Sequence, residues 1–142
     1  MIITTHSAEE TKEEARKFLE TVQPGTVVAL VGDLGSGKTT FTQGIAVGLG
    51  IREPVISPTF VVMKIYKTKH ERIKQLVHID GYRLRGEEEI KLRQLDEYLR
   101  VADGIVLVEW PERFGELLKA DRTVVFELGE KENERQIEIK HP

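Results

Sequence analysis

The sequence predicts an α/β fold with a mixed, mostly parallel central sheet and helices on both faces. Two apolar runs, residues 26–31 and 104–108, are typical of strands buried on both sides, and segments with helical spacing lie between them. Pairs of strand-like segments joined by charged turns, within 59–80 and 122–140, predict hairpins, so we expect a mixed sheet. At 142 residues the chain is expected to form a single domain spanning 1–142.

Local signals place the boundaries of the elements. Ser7 and Glu10 have the spacing of a capping box, which predicts the start of a helix, and Pro24-Gly25 predicts its end. Pro54 and Pro58 predict an irregular loop before the first hairpin. The apolar pattern after Gly86 is helical but leaves room for a break. The predicted strands are 2–5, 26–31, 59–66, 73–80, 104–109, 122–128 and 135–140, and the predicted helices are 7–21, 41–49, 87–100 and 111–119.

Composition excludes several classes of protein. The chain has no cysteine, which excludes disulfides, thiolate metal sites and cysteine nucleophiles. Its formal net charge of -3 argues against a protein dominated by nucleic-acid binding. No apolar run is long enough to span a membrane and no signal-peptide pattern stands at the start, so we expect a cytoplasmic protein that does not act at a membrane.

Residues Gly32 to Thr39 match G-x-x-x-x-G-K-[ST], the P-loop that wraps the phosphates of a nucleotide. Glycines allow the tight turn that points successive N–H groups into one concavity. Lys38 supplies a charge that reaches the β- and γ-phosphates, and the Thr39 hydroxyl suits Mg²⁺. A predicted strand precedes the motif and a predicted helix follows it, which is the context that a P-loop requires. The fold class is therefore predicted to be a P-loop NTPase domain.

Glu109 is the candidate that completes the P-loop. It ends an apolar strand, where many P-loop proteins carry an aspartate that holds Mg²⁺. A solvated strand end is the plainer alternative.

A second cluster, His78 to Arg83, ends another predicted strand. The strand period of two places His78 and Asp80 on one face. Asp80 could position the attacking water or bind magnesium through water, and Arg83 could stabilise charge on the transferring phosphoryl group. The alternative is a satisfied network at a strand end with Arg83 at the surface.

Two further positions lie near the predicted edge. Thr59 follows Pro58 in a loop, like the switch threonine with which nucleotide hydrolases sense the γ-phosphate, although a stiff strand start explains the same residues. Trp110, beside Glu109, could stack on a ligand or a partner, and a core aromatic is the equal alternative.

Together these motifs resemble one family. Gly32 to Thr40, Ser57-Pro58-Thr59-Phe60, His78 to Leu84 and Val108 to Arg113, in this order and spacing, are similar to the bacterial TsaE (YjeE) ATPases. The resemblance implies a small Mg²⁺-dependent ATPase that acts with TsaB and TsaD to form threonylcarbamoyladenosine at position 37 of tRNAs reading codons that begin with adenine. By the same resemblance TsaD would perform the transfer, ATP hydrolysis would reset the complex, and tRNA would be contacted indirectly through the complex.

The resemblance also implies roles for individual residues. Thr39 and Glu109 would hold Mg²⁺, Thr59 would be the switch, and Lys38 and Asp80 would be needed for hydrolysis, with Trp110 near the site. Residues 7–11 would lie near adenine. The residues expected to bind ATP are Asp33, Leu34, Gly35, Ser36, Gly37, Lys38, Thr39 and Thr40. Relatives carry a glycine within the segment that corresponds to 91–95, and its absence here puts a helix break in doubt.

Other functions are compatible with the P-loop. A small-molecule kinase is one, although the chain has no long insertion for an acceptor-binding domain. A GTPase is another, although the Asn-Lys-x-Asp sequence that recognises guanine is missing. A nucleotide-gated binding module with incidental hydrolysis is the third.

Overall fold

Seven strands form one mixed sheet. The computed structural model describes residues 1–142. The strands are β1 (Ile2–Thr5), β2 (Val27–Val31), β3 (Met63–Lys67), β4 (Gln75–Asp80), β5 (Gly104–Glu109), β6 (Arg122–Leu128) and β7 (Arg135–Lys140). The α-helices are α1 (Ala8–Leu19), α2 (Lys38–Gly48) and α3 (Glu87–Leu92), and 3₁₀ segments span Leu95–Tyr98 and Pro111–Leu117.

The strand order is β1-β7-β6-β2-β5-β4-β3. The central strands β6, β2, β5 and β4 pair in parallel, and β1, β7 and β3 pair antiparallel at the two sides. The α/β class, the mixed sheet and both hairpins are therefore confirmed.

The parallel register brings three strand ends to one edge of the sheet. Glu109 of β5 lies opposite Leu30 of β2 and opposite Asp80 of β4. Ligands of open α/β sheets bind outside the carboxyl ends of such strands. The polar residues that the sequence singled out are thus on neighbouring strands at the edge where a site is expected.

Helices cover both faces of the sheet, as predicted. One core cluster joins α1 and α2 to side chains such as Val28, Leu107 and Val124. The second joins α3 and the 3₁₀ segments to alternate positions of the same strands, including Val27 and Val106. Central strands that are buried on both faces have no side in contact with solvent, which explains their nearly continuous apolar sequences.

Helix α1 begins where its capping sequence predicts and packs closely on α2. The Glu10 N–H donates to Ser7 Oγ at 3.1 Å, while the Glu10 carboxylate accepts from the His6 N–H, also at 3.1 Å. Gly44 makes the close approach possible, because a Cβ there would lie 2.7 Å from Ala15 Cβ and from the Lys12 carbonyl oxygen. Any larger side chain at Gly44 would push the helices apart.

The prediction of a strand from residue 59 is wrong for its first four residues. Strand β3 begins at Met63, and Val62 has a φ of 71°, which is rare for a β-branched residue. The Val62 N–H donates to the Pro58 carbonyl at 2.6 Å and closes a turn, so Phe60 and Val61 are exposed at its tip. Tertiary contacts of this turn, described below, override the strand propensity of its residues.

Two predicted helices are shorter than expected. Helix α3 ends at Leu92, and Gln94 then adopts a left-handed conformation with φ 60°, so a break exists without a glycine. The turn redirects the chain and lets Leu95 and Leu99 reach the core. The helix predicted at 111–119 is instead a 3₁₀ segment interrupted at Gly115, where φ is 50°. No helix in the structure is long and apolar enough to cross a membrane.

Asp121, just before β6, connects the starts of β2 and β6 at the end of the sheet opposite Asp80 and Glu109. Its Oδ2 accepts from the Val27 N–H and from Arg100, each at 2.8 Å. Burial favours a higher pKa for the Asp121 carboxyl, but these hydrogen bonds and the charges of Arg100 and Arg122 outweigh it and lower that pKa.

We predict that Asp121→Asn lowers the free energy of unfolding by about 1 kcal/mol at pH 7, since the pair is partly exposed. A carboxyl whose pKa is lower in the folded protein stabilises it fully above the ordinary value of 3.8, and this contribution is lost as the pH falls through the folded value. Urea titrations at pH 7 and pH 3 should therefore show a difference from wild type that shrinks in acid. The exposed Asp96→Asn is the control, and a difference independent of pH would contradict the assignment.

Candidate nucleotide site

The segment between β2 and α2 has the backbone of a phosphate-binding loop. Gly35 and Gly37 have φ of 79° and 112°, conformations that other residues rarely adopt. A Cβ on Gly32 would lie 2.6 Å from Ser36 Oγ and 2.8 Å from the Phe126 carbonyl oxygen. No side chain caps α2, so the N–H groups of its first turn remain available to an anionic ligand.

Lys38 places its ammonium group inside this loop. Its Nζ donates to the Gly32 carbonyl at 2.5 Å and lies 3.8 Å from Glu109 Oε1. It also lies 4.9 Å from the centroid of the Trp110 ring, within the range of a cation–π interaction. The side chain is 5% exposed, so a nearly buried positive charge stands at the position where the sequence predicts phosphates.

Glu109 is nearly buried, which excludes the alternative of a solvated strand end. Its Oε2 lies 2.6 Å from His78 Nε2, and its Oε1 is the oxygen nearer Lys38. A carboxylate accepts hydrogen bonds, so the imidazole donates from Nε2 in this pair. The prediction that His78 and Asp80 share a face of β4 agrees with the burial of Ile79 and Val77 in the opposite core.

Asp80 accepts hydrogen bonds from residues of the predicted switch loop and from the backbone. Its Oδ2 accepts from Ser57 Oγ at 2.8 Å and from Thr59 Oγ1 at 2.9 Å, while its Oδ1 accepts from the Tyr82 N–H at 2.9 Å. The Asp80 N–H in turn donates to the Val62 carbonyl at 2.8 Å. These bonds hold the turn of residues 57–62 against the end of β4, and they explain why β3 starts late.

A cleft of about 380 Å³ opens over the P-loop. It brings together predicted residues from four separate segments: the P-loop, the 57–62 turn, β4 and β5. It also receives the start of α1, as expected, and the loop before β7. The polar residues along it are Ser7, Thr11, Lys38, Thr39, Thr40, Ser57, Thr59, Asp80, Tyr82, Glu109, Asn133 and Arg135.

Asn133 and Arg135 also line the cleft, and neither was predicted from the sequence. They belong to the terminal hairpin, whose strand β6 pairs with β2 beside the P-loop. No motif surrounds them, and only the position of the hairpin in the sheet brings them to the cleft.

Some predicted residues lie outside this cleft. Asp33 lines a neighbouring cavity of about 200 Å³, which Lys38 and Pro111 also line. Ser36 is buried beneath the loop, with an Oγ that has no hydrogen-bond partner. Arg83 lies over the Phe60 ring, 4.4 Å from its centroid. Trp110 lines both cavities and packs against Tyr82, so it is close to the candidate site.

The donor set suits Mg²⁺. Thr39 and Glu109 both line the cleft and present oxygen, the ligand that this hard cation prefers. No group of three or more His, Cys, Asp or Glu side chains is placed to hold a metal ion. Mg²⁺ does not require such a group, because it is commonly held by one or two protein oxygens together with phosphate and water.

Comparison with known proteins identifies the family. Residues 5–137 match the family model described as "Threonylcarbamoyl adenosine biosynthesis protein TsaE". The chain belongs to the TsaE family. It is 41% identical over 133 residues to the TsaE protein of Bacillus subtilis, covering 94% of this chain and 80% of the relative. It is 39% identical to that of Streptomyces coelicolor over 111 residues, covering 78% of this chain and 74% of the relative.

A solved structure supports the same assignment. The crystal structure of Bacillus subtilis YdiB superposes with a TM-score of 0.78 at 36% identity, covering 99% of this chain and 84% of that one. The family resemblance inferred from four ordered motifs is thus confirmed.

The bonds of Asp80 lead to a prediction. Asp80→Ala removes both acceptor oxygens, so the bonds from Ser57, Thr59 and the Tyr82 N–H are all lost. Hydrogen bonds to charged groups contribute about 1.5–3 kcal/mol. Hydrogen exchange followed by mass spectrometry should therefore show the Val62 amide, which donates to the Pro58 carbonyl in this turn, exchanging about tenfold faster or more, while β2 is unchanged.

The control is Asp103→Ala at the other end of the sheet, where the carboxylate accepts from Gln75 at 2.7 Å. Equal exchange of the Val62 amide in Asp80→Ala and wild type would show that Asp80 does not hold this turn.

Proposed function

We propose that the chain is the Mg²⁺-dependent ATPase subunit of a system that forms threonylcarbamoyladenosine at position 37 of tRNAs reading codons that begin with adenine. It would act with TsaB-like and TsaD-like proteins in the cytoplasm, with tRNA contacted through the complex. The TsaD-like protein would perform the threonylcarbamoyl transfer, and ATP hydrolysis would reset the assembly. One observation carries the proposal: Lys38, Thr39, Asp80 and Glu109 line one cleft over a P-loop, in a chain of the TsaE family.

Nucleotide binding would replace contacts that the protein makes with itself. The N–H groups of residues 35–40 would bind the phosphates, and the Lys38 ammonium would exchange the Gly32 carbonyl for a phosphate oxygen. Thr39 and Glu109 would hold Mg²⁺, which supplies charge that stabilises the phosphates as a bond to phosphorus breaks. Start-of-α1 residues such as Thr11 would lie on the adenine side of the cleft.

Hydrolysis would depend on the Asp80 network. Thr59 donates its hydroxyl proton to Asp80 in this structure. If Thr59 turned to the γ-phosphate, Asp80 Oδ2 would keep its bond from Ser57 and could accept a second one from the attacking water, which it would orient. The turn of residues 57–62 would then report the state of the nucleotide, and its exposed Phe60 would change position with it.

The competing functions lack such support. A kinase needs room for an acceptor, and most of the residues lining this cleft come from the P-loop and the strand ends beside it. A GTPase needs a guanine-recognition sequence, which the chain lacks.

Lys38→Ala is predicted to reduce phosphate release from ATP by at least about 100-fold. The site would lose the positive charge that stabilises the negative charge developing on the phosphate oxygens in the transition state. Malachite-green assays with Mg²⁺ would measure this loss. Lys64→Ala, an exposed lysine of β3, is the matched control and should behave as wild type. Turnover of Lys38→Ala equal to wild type would overturn the assignment of the P-loop.

The role in a complex is tested separately. We predict that the protein co-purifies with TsaB-like and TsaD-like proteins when ATP is present and is retained less without nucleotide. Reconstituted tRNA modification should fail over repeated rounds when Lys38→Ala replaces wild type. Absence of any complex, together with transfer of labelled phosphate from ATP to a small molecule, would favour the kinase instead.

A further inference from the structure

We propose that His78 is a positioning residue for Glu109: it binds one carboxylate oxygen so that the other is presented to the nucleotide cleft. The inference rests on the proposed function, because it concerns how this chain prepares its Mg²⁺ ligand. His78 does not line the cleft and would act only through Glu109.

The contact is short and isolated from water. His78 is 0% exposed, and Glu109 is 3% exposed. The distance between Nε2 and Oε2 is 2.6 Å, and hydrogen bonds to a charged acceptor are shorter than neutral ones. The two residues are 31 positions apart in sequence and lie on the paired strands β4 and β5, so the sheet fixes their separation.

The environment of His78 argues against a role in stability alone. The neighbouring position Leu76, on the same face of β4, is an apolar core residue. His78 Nδ1 is buried without any hydrogen-bond partner. A buried polar atom without a partner destabilises a fold, so core packing does not account for a histidine at this position. The bond from Nε2 to Glu109 is the only hydrogen bond that the side chain makes, so the role of His78 lies in its contact with Glu109.

The bond gives the two Glu109 oxygens different neighbours. Oε2 is held by His78, and Oε1 lies 3.8 Å from Lys38 Nζ at the cleft. Without His78 the carboxylate is free to rotate and to approach Lys38 with both oxygens. Such a closer contact would withdraw Glu109 from the metal. Partners that orient metal ligands in this way commonly change metal affinity by 10- to 100-fold when they are mutated.

The test compares nucleotide binding with and without Mg²⁺. Calorimetric titrations of ADP would be run in EDTA and over a range of Mg²⁺ concentrations, with wild type, His78→Leu and His78→Gln. His78→Leu is expected to weaken the Mg²⁺ affinity of the ADP complex by about 10-fold or more. Its Kd for ADP in EDTA should stay within about twofold, since the P-loop is untouched. His78→Gln should recover most of the loss, because its Nε2 can donate to Oε2.

Leu76→Val is the control for a change in the core that leaves Glu109 in place, and it should retain the wild-type Mg²⁺ response. A His78→Leu variant with wild-type Mg²⁺ affinity would overturn the inference, and so would an equal loss of ADP binding in EDTA. A wild-type protein whose ADP binding ignores Mg²⁺ would overturn the proposed function and this inference with it.

A measurement on the wild-type protein tests the bond between His78 and Glu109 without depending on a variant that folds. Long-range ¹H–¹⁵N correlation spectra of the imidazole rings distinguish the tautomers, and only four histidines must be assigned. We expect the His78 proton on Nε2, in slow exchange with water. A proton on Nδ1 with an unprotonated Nε2 would exclude the bond to Glu109 and overturn the inference.

Discussion

Parallel pairing of β2, β5 and β4 is the constraint on which the candidate site depends. It aligns Leu30, Glu109 and Asp80 across three neighbouring strands, so that their chains leave the sheet at the same edge. The P-loop follows β2 within one residue and therefore begins at the same edge of the sheet as both carboxylates. Because these strands are covered on both faces, the carboxylates are almost buried, and their charges must be compensated by nearby groups.

The protein provides that compensation from its own side chains. Lys38 and His78 contact Glu109, and Asp80 accepts from two hydroxyls and one N–H group. A nucleotide with its metal would compete for the same groups, so its binding would exchange one set of polar contacts for another. Such an exchange would link the cleft to the turn of residues 57–62, because the bond from the Thr59 hydroxyl to Asp80 is one of the contacts that it would replace. A subunit that signals its nucleotide state to partners needs such a link.

Short-range patterns predicted much of this architecture. The P-loop, the capped α1, the buried strands β2 and β5 and both hairpins follow from signals within a few residues of one another. The errors have long-range causes. Residues 59–62 have strand propensity, but Ser57 and Thr59 bond to Asp80 more than 20 positions away. Asn133 reaches the cleft because β6 pairs with β2. The role proposed for His78 depends on its contact with Glu109, which is 31 positions distant.

The proposed function requires that the cleft over the P-loop bind a nucleoside triphosphate with Mg²⁺. A crystal structure of the protein with Mg²⁺ and a non-hydrolysable ATP analogue would test this requirement. We expect the triphosphate against the N–H groups of residues 35–40, Lys38 Nζ moved from the Gly32 carbonyl to a phosphate, and the metal beside Thr39 and Glu109. A triphosphate bound elsewhere, or a Lys38 that keeps its contacts with Gly32 and Glu109 while the nucleotide is bound, would contradict it.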